Sequence, residues 1–93
     1  MVSAIPTFTA KQGQYLAFIH AYACIFGRSP AEADLQRHFG VSPPSVHQMV
    51  LTLERQRLIT RQLGVARSIE LLIAPEKLPT LTVKQVKTSV QRY

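Results

Sequence analysis

Tryptophan is missing from this chain, cysteine occurs once, and only five side chains are acidic. One thiol cannot close an internal disulfide, so a packed core must hold the fold, which agrees with a reducing compartment. The carboxylates are scattered over Glu32, Asp34, Glu54, Glu70 and Glu76, and no paired-carboxylate site, Ser/His/Asp grouping or Gly-rich phosphate loop can be built from them. We expect no enzyme and no cofactor. His20 and Cys24 stand four apart, a spacing two metal ligands can share, but a zinc site needs further ligands, and His38 and His47 have other positions to serve. A buried thiol beside a partly packed histidine is the simpler expectation, with no metal. Long apolar runs are also missing. The best, residues 15–26, is interrupted by His20 and too short for a bilayer. The amino end lacks the basic start, apolar stretch and small-residue cleavage site of a signal peptide. These absences set the expectation of a cytoplasmic protein with no membrane partner and no small-molecule pocket.

What is present suits one small globular domain. Ninety-three residues with 46% hydrophobic content and a mean hydropathy of +0.06 are enough for a single core. The net charge is +6, and it is unevenly placed. Residues 1–40 carry three basic against two acidic side chains, residues 41–73 four against two, and residues 74–93 four against one. Positive charge that accumulates toward the second half is where a polyanion would bind.

Apolar periodicity and capping signals divide the chain. Residues 1–8 read as a lead-in, with Pro6 blocking regular structure. Thr9 and Gln12 form a capping-box pair, and Tyr15, Phe18, Ile19, Tyr22 and Phe26 then recur at helical spacing, predicting a core-facing helix over 10–26 stopped by Gly27. Ser29 and Glu32 make a second capping box around Pro30, predicting a helix over 30–39 with Ala31, Leu35 and Phe39 inward, ended by Gly40. Ser42 then caps a third helix with Pro43 at its first position, running to Arg57, with Val46, Val50, Leu53 and Leu58 as its inward stripe. Helix, tight Gly-containing turn and helix is a helix-turn-helix. Beyond it, 58–62 and 68–73 read as strands joined across the turn-competent Leu63-Gly64-Val65-Ala66-Arg67, a hairpin that must pack on the helices to persist. The expected fold is therefore mainly α with a small β-hairpin, a three-helix winged helix-turn-helix spanning 9–73. Residues 74–93 form a basic tail in which Leu81, Val83, Val86 and Val90 fit a short helix or a strand, with a disordered segment as the third alternative.

The outer face of the third helix is unusual for a solvated surface. Ser45, His47, Gln48 and Thr52 occupy it where Glu and Lys would serve solubility. Glutamine can bond adenine through two atoms, serine can donate or accept, and histidine can donate to guanine or to phosphate. The plainer reading is an ordinary polar helix face, and the helix-turn-helix context favours base readout. Arg55, Arg57, Arg61 and Arg67 are candidate phosphate contacts, Arg67 foremost because it flanks the wing tip, with ordinary surface arginine, or pairing of Arg55 or Arg57 with Glu54, as the alternative. Ser29 is read as a helix cap whose helix end can also meet a phosphate. An exposed Leu51 and the apolar wing tip, Leu63 and Val65, point instead to a protein partner.

Several local motifs resemble the amino-terminal DNA-binding domain of the LexA repressor family over residues 8–73. They are Phe8-Thr9-Ala10-Lys11-Gln12, Ser29-Pro30, Ala33, Phe39-Gly40, Ser42-Pro43, Leu53, Arg55, Leu58-Ile59 and Ile69-Glu70-Leu71-Leu72. The resemblance implies a winged helix whose third helix lies in the major groove, with Ser42, Pro44, Ser45, His47 and Gln48 at the positions that touch base edges. Two departures qualify it. Pro44 stands where the best-known member has asparagine, and His47-Gln48 where that member has two acidic residues, so a different operator is expected. The family's self-cleaving peptidase, which also dimerises it, is not contained in these residues, so self-cleavage is not expected of them. The reading is then a small prokaryotic or phage transcriptional regulator of nucleoid DNA, sequence-specific, and homodimeric through 74–93. A protein-interaction winged helix and a non-specific architectural DNA binder are the alternatives.

Overall fold

The computed structural model describes residues 7–82. Three helices come first: α1 (Ala10–Phe26), α2 (Glu32–Phe39) and α3 (Pro43–Arg55). Two short antiparallel strands follow, β1 (Ile59–Thr60) and β2 (Glu70–Leu71), with Ile59 opposite Leu71 and Thr60 opposite Glu70. One bond beyond the ladder, from Leu72 N to Leu58 O at 2.9 Å, extends the pairing. This is a winged helix-turn-helix, with Gln62 to Ser68 as the wing.

Each helix starts for a local reason. The Thr9–Gln12 capping box forms in both directions, Gln12 N to Thr9 Oγ1 at 3.1 Å and Thr9 N to Gln12 Oε1 at 2.9 Å. Gly27 and Gly40 end α1 and α2 in the left-handed conformation that glycine adopts without a Cβ penalty. Ser42 caps α3, with prolines at its first two positions. The second helix corrects the sequence reading. It begins at Glu32, and Ala31, not Ser29, is its N-cap residue. Alanine has no side-chain acceptor, so the Asp34 carboxylate reaches back to Ala31 N at 2.8 Å and closes the turn alone. Ser29 is displaced from capping because its hydroxyl donates to Ile69 O at 2.6 Å, fastening the start of α2 to the second arm of the wing, while Pro30 is buried between them. The third helix ends at Arg55, two residues earlier than expected, because Arg57 takes a left-handed φ of 62° that turns the chain into β1.

The core gathers Tyr15, Leu16 and Ile19 of α1, Leu35 of α2, Val46, Val50 and Leu53 of α3, and Leu58, Ile59, Ile69 and Ile73 of the hairpin. The inward stripe expected of α3 is therefore buried, Leu58 included. Tyr15 stacks on Phe39 with ring centroids 4.1 Å apart, and burial pushes its phenol pKa up. The far end of α1 departs from expectation. Phe26 is 58% exposed and Ile25 72%, Tyr22 is only half-buried, and Cys24 is exposed rather than buried. Among the described residues, the periodicity of α1 continues for a turn beyond the elements that cover it. Leu51, expected to be exposed, is half-buried.

The lead-in and the tail close on α1. Phe8 packs against the core. The backbone at Thr80 and Thr82 is held by the Gln14 side chain, through Gln14 Nε2 to Thr80 O at 3.0 Å and Thr82 N to Gln14 Oε1 at 2.7 Å. Gly13 lets both segments approach, since a Cβ there would lie 2.9 Å from Pro79 Cγ and 3.0 Å from Phe8 Cε1. The described part of the tail holds a single helical turn, Pro75–Lys77. The helix or strand considered around Val83, Val86 and Val90 lies outside the described residues.

Candidate nucleic-acid interface

Burial of Val46, Val50 and Leu53 decides which residues of α3 face out. Ser42, Pro44, Ser45, His47 and Gln48 are all exposed, on the first turns of the helix. The cap is local. Ser42 Oγ accepts from Ser45 N at 3.4 Å and donates to Ser45 Oγ at 3.0 Å. Pro44 offers no N–H, so this end presents ring carbons between two hydroxyls. The Gln48 amide group makes no hydrogen bond among the described residues. Thr52 is turned inward on its own helix, its hydroxyl donating to Gln48 O at 2.9 Å and accepting from Arg55 Nη2 at 3.3 Å.

Two concavities flank this face. On one side Ser45, Gln48 and Thr52 share a shallow groove of about 470 Å³ with Lys11 and Gln12 of α1. On the other, a groove of about 240 Å³ separates the start of α2, with Pro30 and Glu32, from the wing residues Arg61, Val65 and Arg67. His47 bridges toward the second groove, its Nδ1 lying 3.3 Å from each Glu32 carboxylate oxygen.

The arginines do not behave alike. Arg67, foremost as a phosphate contact in the sequence, is folded inward with a φ of 56°. Its Nη1 donates to Tyr22 Oη at 3.1 Å, Ser29 O at 3.2 Å and Asp34 Oδ2 at 3.0 Å. The Tyr22 hydrogen bond and the Asp34 charge keep this guanidinium protonated still more firmly than usual, against the opposing effect of desolvation. Arg61 is likewise engaged, with Nε 2.9 Å from Glu54 Oε1. That removes Glu54 as the partner considered for Arg55 and Arg57. Both remain exposed, and Arg57 has no side-chain hydrogen bond or ion pair among the described residues.

Three residues of the site escaped the sequence reading. Lys11 enters the sequence reading only within the family-like stretch that opens the first helix. The sequence places Glu32 in a capping box with Ser29. Asp34 is the carboxylate on which the wing is hung. Desolvation opposes its ionisation, but the Ala31 amide, the charges of Arg67 and Arg37 and the Tyr22 hydroxyl outweigh this and hold its pKa below the usual carboxylate range. Its one available signal was an acidic residue three places after a non-capping alanine. The wing itself is closed by Ser68, whose Oγ accepts from Gln62 N at 2.8 Å and lies within donating distance of Val65 O at 2.8 Å. Gly64 turns the tip with a φ of 76°, leaving Leu63 85% exposed.

Comparison with known proteins gives the same assignment. Residues 25–63 match the IclR helix-turn-helix domain, which runs from the last turn of α1 through β1 into the wing. The chain is 40% identical over 68 residues to the LexA repressor of Thermosipho africanus (strain TCF52B), covering 73% of this chain and 34% of that protein. It is 37% identical over 70 residues to the LexA repressor of Thermosipho melanesiensis (strain DSM 12029 / CIP 104789 / BI429), covering 75% of this chain and 35% of that protein. The chain carries a LexA-like winged helix-turn-helix domain. It spans about a third of the length of the curated relatives it matches. In this LexA-like domain the exposed polar residues of α3 lie on the second helix of the helix-turn-helix unit. Among the described residues no helix is long and apolar enough to cross a membrane. His20 Nε2 and Cys24 Sγ lie 3.6 Å apart, and no group of three His, Cys, Asp or Glu side chains placed to hold a metal occurs among the described residues.

Proposed function

We propose that this protein binds duplex DNA sequence-specifically as a transcriptional regulator, by recognition and not by catalysis, with the start of α3 in the major groove and the wing along the adjacent backbone. The observation that carries the reading is the exposed row Ser45, His47 and Gln48, standing out from a helix whose opposite face is fully buried. A helix-turn-helix presents the first turns of its second helix to base edges, and these side chains can donate and accept there. Of the four candidate arginines, Arg55 and Arg57 are exposed and make no ion pair among the described residues, so they are left to meet phosphate, together with Lys11 across the groove. Arg61 and Arg67 shape the wing instead.

A single copy of so small a domain covers one half-site, so we assign a homodimer on two half-sites, with 74–93 as the interface. The described start of that segment is already anchored on α1 through Gln14. Binding to a pool of random duplexes at two salt concentrations, followed by sequencing of what is retained, tests the reading. A palindrome with half-sites about one helical turn apart is the expected product. Retention without enrichment that collapses at high salt would mean architectural binding. No retention at low salt would refute a DNA role and leave the exposed Ile25, Phe26 and Leu63 as the place to seek a protein partner.

A further inference from the structure

Among the residues of the α3 face, His47 alone has its side chain tied to another element. Both carboxylate oxygens of Glu32, at the first position of α2, sit 3.3 Å from His47 Nδ1. The other cations at that groove are committed elsewhere, Arg61 to Glu54 and Arg67 to Asp34, so the Glu32 carboxylate is left to the imidazole. A carboxylate accepts hydrogen bonds and does not donate them. The shared proton must therefore be on Nδ1, whatever the charge of the ring. A neutral imidazole then carries no hydrogen on Nε2, the nitrogen on the opposite side of the ring, and presents it as an acceptor.

We infer that Glu32 is a positioning residue for sequence readout, holding His47 so that Nε2 of the neutral ring selects, on the strand it faces, a base whose major-groove edge offers an amino donor. The chemistry is specific. Adenine N6 and cytosine N4 donate there, whereas guanine offers only the acceptors N7 and O6 and thymine only the acceptor O4, so the ring tells which partner of a pair lies on its strand. Without Glu32 the ring proton is free to sit on Nε2, and the preference is lost. The arrangement also has a cost that a merely solvating glutamate would not explain. It places a negative charge beside a surface otherwise suited to phosphate, so it weakens binding to every sequence while sharpening discrimination at one position.

The inference rests on the DNA-binding reading, and two measurements keep their fates apart. In the free protein, nitrogen NMR of His47 should show the proton on Nδ1, and in Glu32→Ala it should redistribute toward Nε2. A ring protonated on Nε2 in the unmodified protein would overturn the inference whether or not DNA binds. In the random-duplex selection, Glu32→Ala and His47→Ala should each lose the preference at the same single base pair, by about tenfold, and the double variant should lose no more than either alone. Glu32→Gln, nearly isosteric, should relax the same position with the fold intact by circular dichroism. If Glu32→Ala instead tightens binding to all duplexes equally and leaves the selected sequence unchanged, Glu32 acts only through its charge and the inference is wrong. If the unmodified protein enriches no sequence, the proposed function fails first, and readout by His47 fails with it.

Discussion

Replacing Asp34 should unfasten the wing from the helices, and the size of the effect can be worked from its partners. The side chain is 8% exposed. Its carboxylate accepts from Ala31 N at 2.8 Å and from Arg67 Nη1 at 3.0 Å, and it pairs with Arg37 one turn along α2. Losing a helix cap of this kind costs about 1 kcal/mol. The guanidinium partners are shared with solvent, so they add modestly and bring the expected cost of Asp34→Ala to about 2 kcal/mol. For a domain of this size that lowers the melting temperature by about 8–16 °C. Asp34→Asn keeps an acceptor for Ala31 N but removes the charge, and should cost about half as much.

The same carboxyl dictates a pH signature. Its pKa is lower in the folded protein than in the unfolded chain. Its contribution is therefore present above the unfolded value of about 4 and is lost as the pH falls through the lowered folded value. Thermal melts followed by circular dichroism should show the gap between the unmodified protein and Asp34→Asn at neutral pH, and that gap should narrow as the pH falls below the unfolded value of about 4. A gap that stays constant with pH, or an Asp34→Ala midpoint within about 2 °C of the unmodified protein, would refute the role assigned to this carboxylate.

Other expectations follow from the same geometry. Arg55→Ala with Arg57→Ala should reduce the magnitude of the slope of log affinity against log salt by about 2, whereas Arg61→Ala should leave the slope nearly unchanged. Gln48→Ala should cost about 1–3 kcal/mol on the selected duplex and almost nothing on random duplexes, measured by fluorescence anisotropy. Gly13→Ala improves helix propensity by about 1 kcal/mol, yet the new methyl group would meet Pro79 and Phe8; we expect net destabilisation of about 1 kcal/mol in urea unfolding. Removing residues 79–93 should shift sedimentation toward monomer and weaken DNA binding, and unchanged behaviour in both would exclude this segment as the interface.

The elements were legible because they are written in local signals. A capping box at Thr9, glycines after α1 and α2, and a serine-proline start for α3 each act within a few residues, and the structure realises them. The inward stripe of α3 was legible for the same reason, since periodicity alone separates Val46, Val50 and Leu53 from their neighbours. What could not be read was competition between distant groups. Ser29-Pro30-Ala31-Glu32 has the form of a capping box, but Ile69 O, forty residues away, takes the serine hydroxyl. The rule was sound and a tertiary contact outbid it. Tyr22 and Phe26 show the converse: their spacing is right for a core, but among the described residues no element covers the last turn of α1.

Charge was the least legible property, and the reason bears on how such domains are interpreted. A basic residue at a wing tip suggests a phosphate contact only if its charge is unspent, and sequence does not record where a long side chain bends. Arg67 turns back to Asp34, Tyr22 and the Ser29 carbonyl, and Arg61 to Glu54, so two of the four candidate arginines stabilise the wing's shape. Arg55 and Arg57 lie at the end of α3 and in the turn that follows, and they retain their exposure. The unpaired positive charge therefore lies off the wing tip and toward the end of α3, which is where we propose the electrostatic footprint, while Leu63 and Val65 leave the tip itself apolar. On the proposed reading, a wing built this way would meet DNA through the backbone of its loop and contribute little charge. The salt dependence of binding should then be governed by α3 and its flanks, and the arginine substitutions above separate that arrangement from a conventional basic wing.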